Sequence, residues 1–395
     1  GDAGGNQSTV DGLPIRGGER TDITIEDAYG HELTFEEGLY VNRLRDVDPG
    51  TSKDLYFIDF ASREFFANEQ TRVVKKYEGN IGDNVEKILK DVLKVESDID
   101  IDNTAVPYNF LGNDRKPFYV CTWLASKSIP EVTTEDGKSG KGGASGYLFF
   151  QTRDGYHFKS IDKTFTGEPK KKYIFNNSTN LPEGYDAKVL TYDINSDIDV
   201  GKNLMMGMYN NRSIFFNPLS FNYEVRSFPD TNTTPQITED TIPTEDEYLA
   251  KTQNAAEEPV GKLIPDEFRQ SPTRFMSFVL DTGVMPSGIT SQDQLDTWSS
   301  EKAKDNFDVK ETMVQSVMRY NQLFTVKTEI TIPGDFSIKA GDLVQCDFPD
   351  LSGNESKDVN PETKGIYMVA SVCHRITPSS SNTSLTLVRD SFGGK

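Results

Sequence analysis

No run of apolar residues in this 395-residue sequence approaches the ~18 to 20 that a membrane-spanning helix requires. The first residues also lack the charged-then-apolar pattern of a secretory signal. Cysteine is scarce: Cys121, Cys346 and Cys373 are an odd number at no metal-ligand spacing, which excludes a disulfide framework and a zinc finger. Each sits among apolar neighbours, so the expectation is buried free thiols in a chain made in a reducing cytoplasm. The three histidines, His31, His157 and His374, lie far apart. His374 directly follows Cys373, and adjacent strand residues point to opposite faces, so this pair predicts a structural histidine and no metal.

Basic residues are in deficit, 42 against 62 acidic, for a net charge of −20. Nucleic-acid affinity comes largely from Lys and Arg meeting phosphates, which argues against a sequence-reading DNA surface but not against a wall that DNA slides past. No Gly-x-Ser-x-Gly elbow, P-loop, dinucleotide fingerprint or zinc-binding helix occurs. The segment from Asp193 to Asp199 opens like a calcium loop but lacks the glycine at its sixth position and the glutamate at its twelfth. Motifs therefore assign neither a catalytic residue nor a cofactor.

What the sequence does have is alternation. Apolar residues fall at every second position from Phe324 to Ile332, the period of a half-buried strand, and Pro333-Gly334 ends the run. Asp342 to Phe348, Gly365 to Val372 and Ser384 to Arg389 complete four strands of a small antiparallel sheet or barrel. The N-terminal part shows a similar order. Thr21-Asp-Ile-Thr-Ile25 matches Thr328-Glu-Ile-Thr-Ile332, and Gly38-Leu-Tyr-Val41 matches Gly365-Ile-Tyr-Met368. Proline-bearing turns at Pro49 and Pro378 then lead to 55–58 and 385–388. The recurrence predicts a β-module written twice and split by a long insertion.

Between the modules the period changes. Asp83-Asn-Val-Glu86 reads as a capping box, with Val85, Ile88, Leu89, Val92 and Leu93 on one helical face. Pro117 opens a second helix that Ile129-Pro130 ends, and Arg153-Asp-Gly155 between two aromatic runs predicts a hairpin. From Pro229 to Pro272 Thr, Pro, Glu and Asp dominate, leaving too little apolar surface to offset ordering entropy. Val309, Met313, Val317 and Tyr320 mark one face of a last helix. The predicted class is β-rich α+β: two similar small antiparallel β-barrel (tube) domains with inserted α+β and irregular domains. The expected division is 1–76 for the first barrel, 77–182 for the α+β insertion, 183–228 with 306–395 for the second barrel, and 229–305 for an irregular periphery.

Several segments occur in a distinctive order: Gly17-Gly-Glu19, Leu55-Tyr-Phe-Ile-Asp-Phe-Ala-Ser-Arg-Glu64, Asn68-Glu69, Tyr77-Glu-Gly79, Asn109-Phe-Leu-Gly112, Gly146-Tyr-Leu-Phe-Phe150, Asp154-Gly155, Gly341-Asp-Leu-Val344, and His374 with Leu387-Val-Arg-Asp390. In this order the chain resembles the baseplate hub proteins of T-even-type contractile-tailed bacteriophages, relatives of the hub modules of contractile injection machines. Members of that family carry further strands before the Gly-Gly-Glu segment, so the first barrel is expected to be N-terminally incomplete. The resemblance implies a homotrimer in which two barrels per subunit make six nearly equivalent units. Such a ring joins a central spike to a tail tube or tube-initiator protein, meets other baseplate proteins, and lets DNA through its lumen without sequence-specific binding. It implies a virion location after assembly in the host cytoplasm, no cofactor and no enzymatic activity.

An alternating strand offers one face to the core and one to partners, so Thr325, Lys327, Glu329 and Thr331 are candidates for an intersubunit or lumen face. Two alternative readings make their own demands. A virion-associated cell-wall hydrolase needs working carboxylates, for which Asp98, Asp100 and Asp102 are candidates. A host-surface glycan-binding tail protein needs exposed aromatics such as Tyr147 and Tyr156.

Overall fold

A computed structural model describes residues 15–27, 29–35, 37–49, 54–105, 107–133, 139–141, 145–176, 180–195, 199–217, 221–228, 258–259, 265, 267–268, 272–279, 309–324, 326–349, 363–389 and 391–392. Its largest element is a seven-stranded sheet in the order Ala187–Lys188, Lys171–Ile174, Leu343–Asp347, Gly365–Thr377, Ser380–Arg389, Val326–Pro333 and Thr191–Asn195. Lys171–Ile174 runs parallel to both of its neighbours, and the remaining pairings are antiparallel. Val326, Ile330 and Ile332 alternate inward and meet Tyr173, Val344, Cys346, Tyr367, Val369, Leu385 and Leu387 in one core. Every member of that core comes from this sheet or the loops joining its strands, so the sheet curls and buries its own inner face. On its other side Leu343, Met368 and Val388 pack against Ile161, Phe165 and Leu323.

Leu323 closes the Val309–Leu323 helix, whose polar residues Thr312, Gln315, Ser316, Arg319 and Gln322 are all buried. Burying such groups is costly unless each finds a partner. Gln315 Oε1 accepts from Ser145 N at 2.6 Å, and Ser316 Oγ donates to Ser126 O at 2.8 Å. Gln322 Nε2 donates to Met208 O at 3.2 Å, and Arg319 Nε donates to Asp162 Oδ1 at 2.9 Å. The helix is therefore an axle pinned to distant segments of chain by its polar side chains. Met313, Val317 and Tyr320, expected to form its core face, are only half-buried.

The inserted unit holds the second large core, in which Val85, Ile88, Leu89 and Leu93 meet Tyr108, Phe110, Val120, Leu124, Tyr147 and Phe158. Its first helix starts earlier than the expected capping box: it runs Ile81–Lys87 from an Asn80 cap, leaving Asp83 in the first turn, and continues as a π-helical turn over Ile88–Val92. The second spans Pro117–Ala125, beginning where proline fits best. Tyr147–Thr152 and Gly155–Ser160 pair as a hairpin whose two loop residues are Arg153 and Asp154, one position before the expected Asp-Gly turn. Gly155 instead lies in the strand with φ +147, where a Cβ would stand 1.9 Å from the carbonyl oxygen of Asp98 on the neighbouring parallel strand. Only glycine permits that approach.

The two segments expected to be duplicated each contain a long hairpin. Both Gly-x-Tyr strands open long bulged hairpins, Leu39–Pro49 with Asp54–Ala61 and Gly365–Thr377 with Ser380–Arg389. The pairing slips between Val41 and Arg43 in one and between Val369 and Ser371 in the other. The first strands do not correspond: Thr24–Glu26 pairs with Glu32–Thr34, whereas Val326–Pro333 pairs with Ser380–Arg389. Pairing also redistributes the expected domains. Lys171–Ile174 joins the large sheet, and Asn211–Asn217 with Asn222–Phe228 form a separate sheet with Arg274–Val279. The 229–305 periphery lies outside the described residues except for 258–259, 265, 267–268 and 272–279. Cys121 and Cys346 are buried and free as expected, but Cys373 is exposed, because its strand has run past the core. No helix among the described residues is long and apolar enough to cross a membrane.

Candidate functional site

Three of the four predicted face residues lie together. Lys327 and Glu329 are exposed and Thr331 is half-buried, all opposite to the core-facing Val326, Ile330 and Ile332; Thr325 lies outside the described residues. The register extends this outward face across neighbouring strands, with Thr331 beside Thr191 and Ser384, and Glu329 beside Asp193 and Thr386. Hydroxyl pairs bind its rows: Thr331 Oγ1 lies 3.3 Å from Ser384 Oγ, and Ser371 Oγ donates to Thr386 Oγ1 at 3.0 Å. Glu329 and Asp193 are both exposed and directly opposed in an antiparallel pair, an arrangement that repels. Thr191–Asn195 ends the sheet, and among the described residues no further strand pairs with it. The face is thus polar and locally over-negative, and it is bordered by a strand that ends the sheet among the described residues.

The carboxylates proposed for hydrolysis form an ion-pair network instead. Asp98 is exposed. Lys159 Nζ donates to Asp100 Oδ1 at 2.5 Å and lies 3.4 Å from Asp102 Oδ1, which also pairs with Lys163 at 3.1 Å. Burial pushes the Asp100 carboxyl up, but the Lys159 hydrogen bond and charge, together with His157, bring it below its ordinary value. Asp102 Oδ2 accepts from Ser160 N at 3.0 Å. Both carboxyls are tied to the same lysine. They line a cleft of about 400 Å³ with His157, whose pKa is lowered chiefly by burial, and with Lys339 and Asp342. Tyr147 and Tyr156 are buried, and Tyr147 donates to Asn103 O at 2.8 Å, so neither offers a ring to a glycan. His374 has Nδ1 2.9 Å from Thr383 Oγ1 and its ring against Phe336.

A second carboxyl pair borders another cleft of about 400 Å³, where Glu37 and Glu64 sit with Gln151 and Asp154. Burial and then the neighbouring Glu37 raise the Glu64 pKa, and Arg63 lies 3.0 Å from Glu64 Oε1.

Distant parts of the chain also converge at Asp27. The amides of Tyr29 and His31 donate to its Oδ1, both at 2.8 Å, and Phe336 N donates to Oδ2 at 2.9 Å. His31 Nδ1 lies 3.0 Å from Asp27 Oδ2 and 3.9 Å from Asp335 Oδ1. Ser337 donates to that Asp335 oxygen through its amide and hydroxyl, at 2.8 and 2.6 Å. Burial pushes the Asp27 carboxyl up, yet the donors from Phe336, His31 and Tyr29 outweigh it and hold the pKa at about 2. Asp27, His31 and Asp335 are the one group among the described residues whose donor atoms suit a metal ion. The sequence hid them, because Asp335 lies about three hundred positions from Asp27; the only local hint was an Asp four residues before a His.

No family model and no curated protein matches the chain. Among solved structures it is similar to a tail protein from Neisseria meningitidis MC58, at 10% identity and TM-score 0.44, over 89% of this chain and 80% of that one. It is similar also to the 43 kDa tail protein of prophage MuSo2 from Shewanella oneidensis, at 9% identity and TM-score 0.46, over 98% and 84%. A chain of the phage P2 baseplate in its activated conformation aligns at 12% identity and TM-score 0.25, over 94% and 80%. Likeness at these levels establishes neither a common fold nor a common function.

Proposed function

We propose that the chain is a structural hub subunit of a contractile-tail baseplate: a homotrimeric ring between central spike and tail tube whose lumen passes DNA. The observation that carries this reading is the outward sheet face, where Glu329 opposes Asp193 on the strand that ends the sheet among the described residues. A lone subunit gains nothing from that repulsion, whereas a neighbour that supplies a cation and a strand would relieve both features. The segment order of the sequence and the recurring bulged hairpin support the same assignment, the hairpin being the part that would let three subunits present six similar units. The net charge of −20 suits a channel wall that does not grip DNA.

Light scattering of the purified chain, alone and with a spike protein, tests it. A trimer is expected, converted to monomer by Thr331→Arg with an unchanged circular dichroism spectrum. A strict monomer under both conditions would overturn the reading.

A further inference from the structure

We propose that Asp27, His31 and Asp335 bind a divalent transition-metal ion of the zinc type, which staples the Thr24–Glu26/Glu32–Thr34 hairpin to the segment following the Val326–Pro333 strand. The three donor atoms lie within 4.8 Å of one another without rearrangement of the backbone. A tetrahedral ion with bonds of ~2.0–2.1 Å sets its donors about 3.3 Å apart. The His31 Nδ1 separations of 3.0 Å from Asp27 and 3.9 Å from Asp335 bracket that spacing.

The donor set selects the metal. One imidazole nitrogen with two carboxylates suits Zn²⁺ and its neighbours, while Ca²⁺ and Mg²⁺ require more oxygens than converge here. Both carboxylates are already aimed: Asp27 by three backbone amides and Asp335 by Ser337, which is the outer-shell support that metal ligands need. The His31 side chain is 41% exposed, so the ion has an entry path and water can complete the coordination. Lys171 Nζ, 3.9 Å from Asp335 Oδ2, faces the cluster and opposes binding. Without metal, His31 and Asp27 make an ordinary hydrogen bond; with it, Nδ1 must be unprotonated.

The full chain, stripped with chelator, is titrated with ZnCl₂ by calorimetry, with thermal unfolding read alongside. One ion per chain and a raised Tm are expected, with no response to Mg²⁺ or Ca²⁺. His31→Gln and Asp335→Asn, each checked for folding by circular dichroism, should weaken binding at least about tenfold, whereas Lys171→Met should tighten it. His157→Gln and Cys373→Ser should change nothing. Absence of saturable binding by the folded wild-type chain overturns the proposal. So does Zn²⁺ binding that survives both His31→Gln and Asp335→Asn, or binding lost with Cys373→Ser.

Discussion

Replacing Asp27 by alanine should undock the N-terminal hairpin from the large sheet. Three backbone amides lose their acceptor. Those of Tyr29 and His31 sit on residues that reach solvent and can turn to water, at about 1 kcal/mol each. The Phe336 amide is buried, and leaving it without a partner costs about 1–3 kcal/mol. The sum, roughly 3 to 5 kcal/mol, applies to local opening of this junction, since neither large core contains Asp27. Hydrogen exchange in chelating buffer measures it directly: at 1.4 kcal/mol per decade, the Phe336 amide should exchange about 100-fold faster or more. Amides of the Ser380–Arg389 strand should keep their protection. The pH dependence has a definite sign. The carboxyl falls from its ordinary 3.8 to about 2 on docking, so docking strength is fully present above pH ~4 and lost as pH falls toward 2. In the alanine variant that acid limb should vanish. Acceleration below about fivefold, or an equal loss of protection across the large sheet, would refute this account of the junction.

Two further outcomes follow from buried side chains. Arg319→Met strands the Asp162 carboxylate that pairs with it at 2.7 Å, and should cost ~3–5 kcal/mol in urea unfolding. Arg319→Met with Asp162→Leu should recover much of that loss, because the uncompensated charge goes with its partner. Of the three thiols, only exposed Cys373 should react rapidly with an aromatic disulfide reagent in the native chain; Cys121 and Cys346 are buried and their pKa values are pushed up by burial. All three should react after denaturation.

Strands and helices were legible where a side-chain period could be counted. The alternation at Val326–Pro333 correctly divided inward from outward residues, because a half-buried strand leaves its imprint in every second position. The apolar run from Val85 to Leu93 likewise placed a helix against a core, although the π-turn at Ile88–Val92 left no visible signature. Misreadings arose where polar residues were buried. Gln315, Ser316, Arg319 and Gln322 look like a solvated face, and nothing local reveals that three backbone groups and the Asp162 carboxylate, all from other segments, await them. The ion pairs of the hydrolase candidates were hidden for a related reason: three alternating aspartates do not announce Lys159 on the neighbouring strand and Lys163 on the helix after it.

By itself, then, the sequence determined composition, charge, the absence of familiar catalytic motifs, and the local character of each strand and helix, since these depend on neighbours within a few residues. Tertiary structure alone decided which strands pair, that Thr24–Glu26 turns back on Glu32–Thr34 while Val326–Pro333 reaches Ser380–Arg389, and that Asp27 meets Asp335. Those outcomes rest on contacts between residues far apart in the chain, whose energies exist only after the intervening segments have folded.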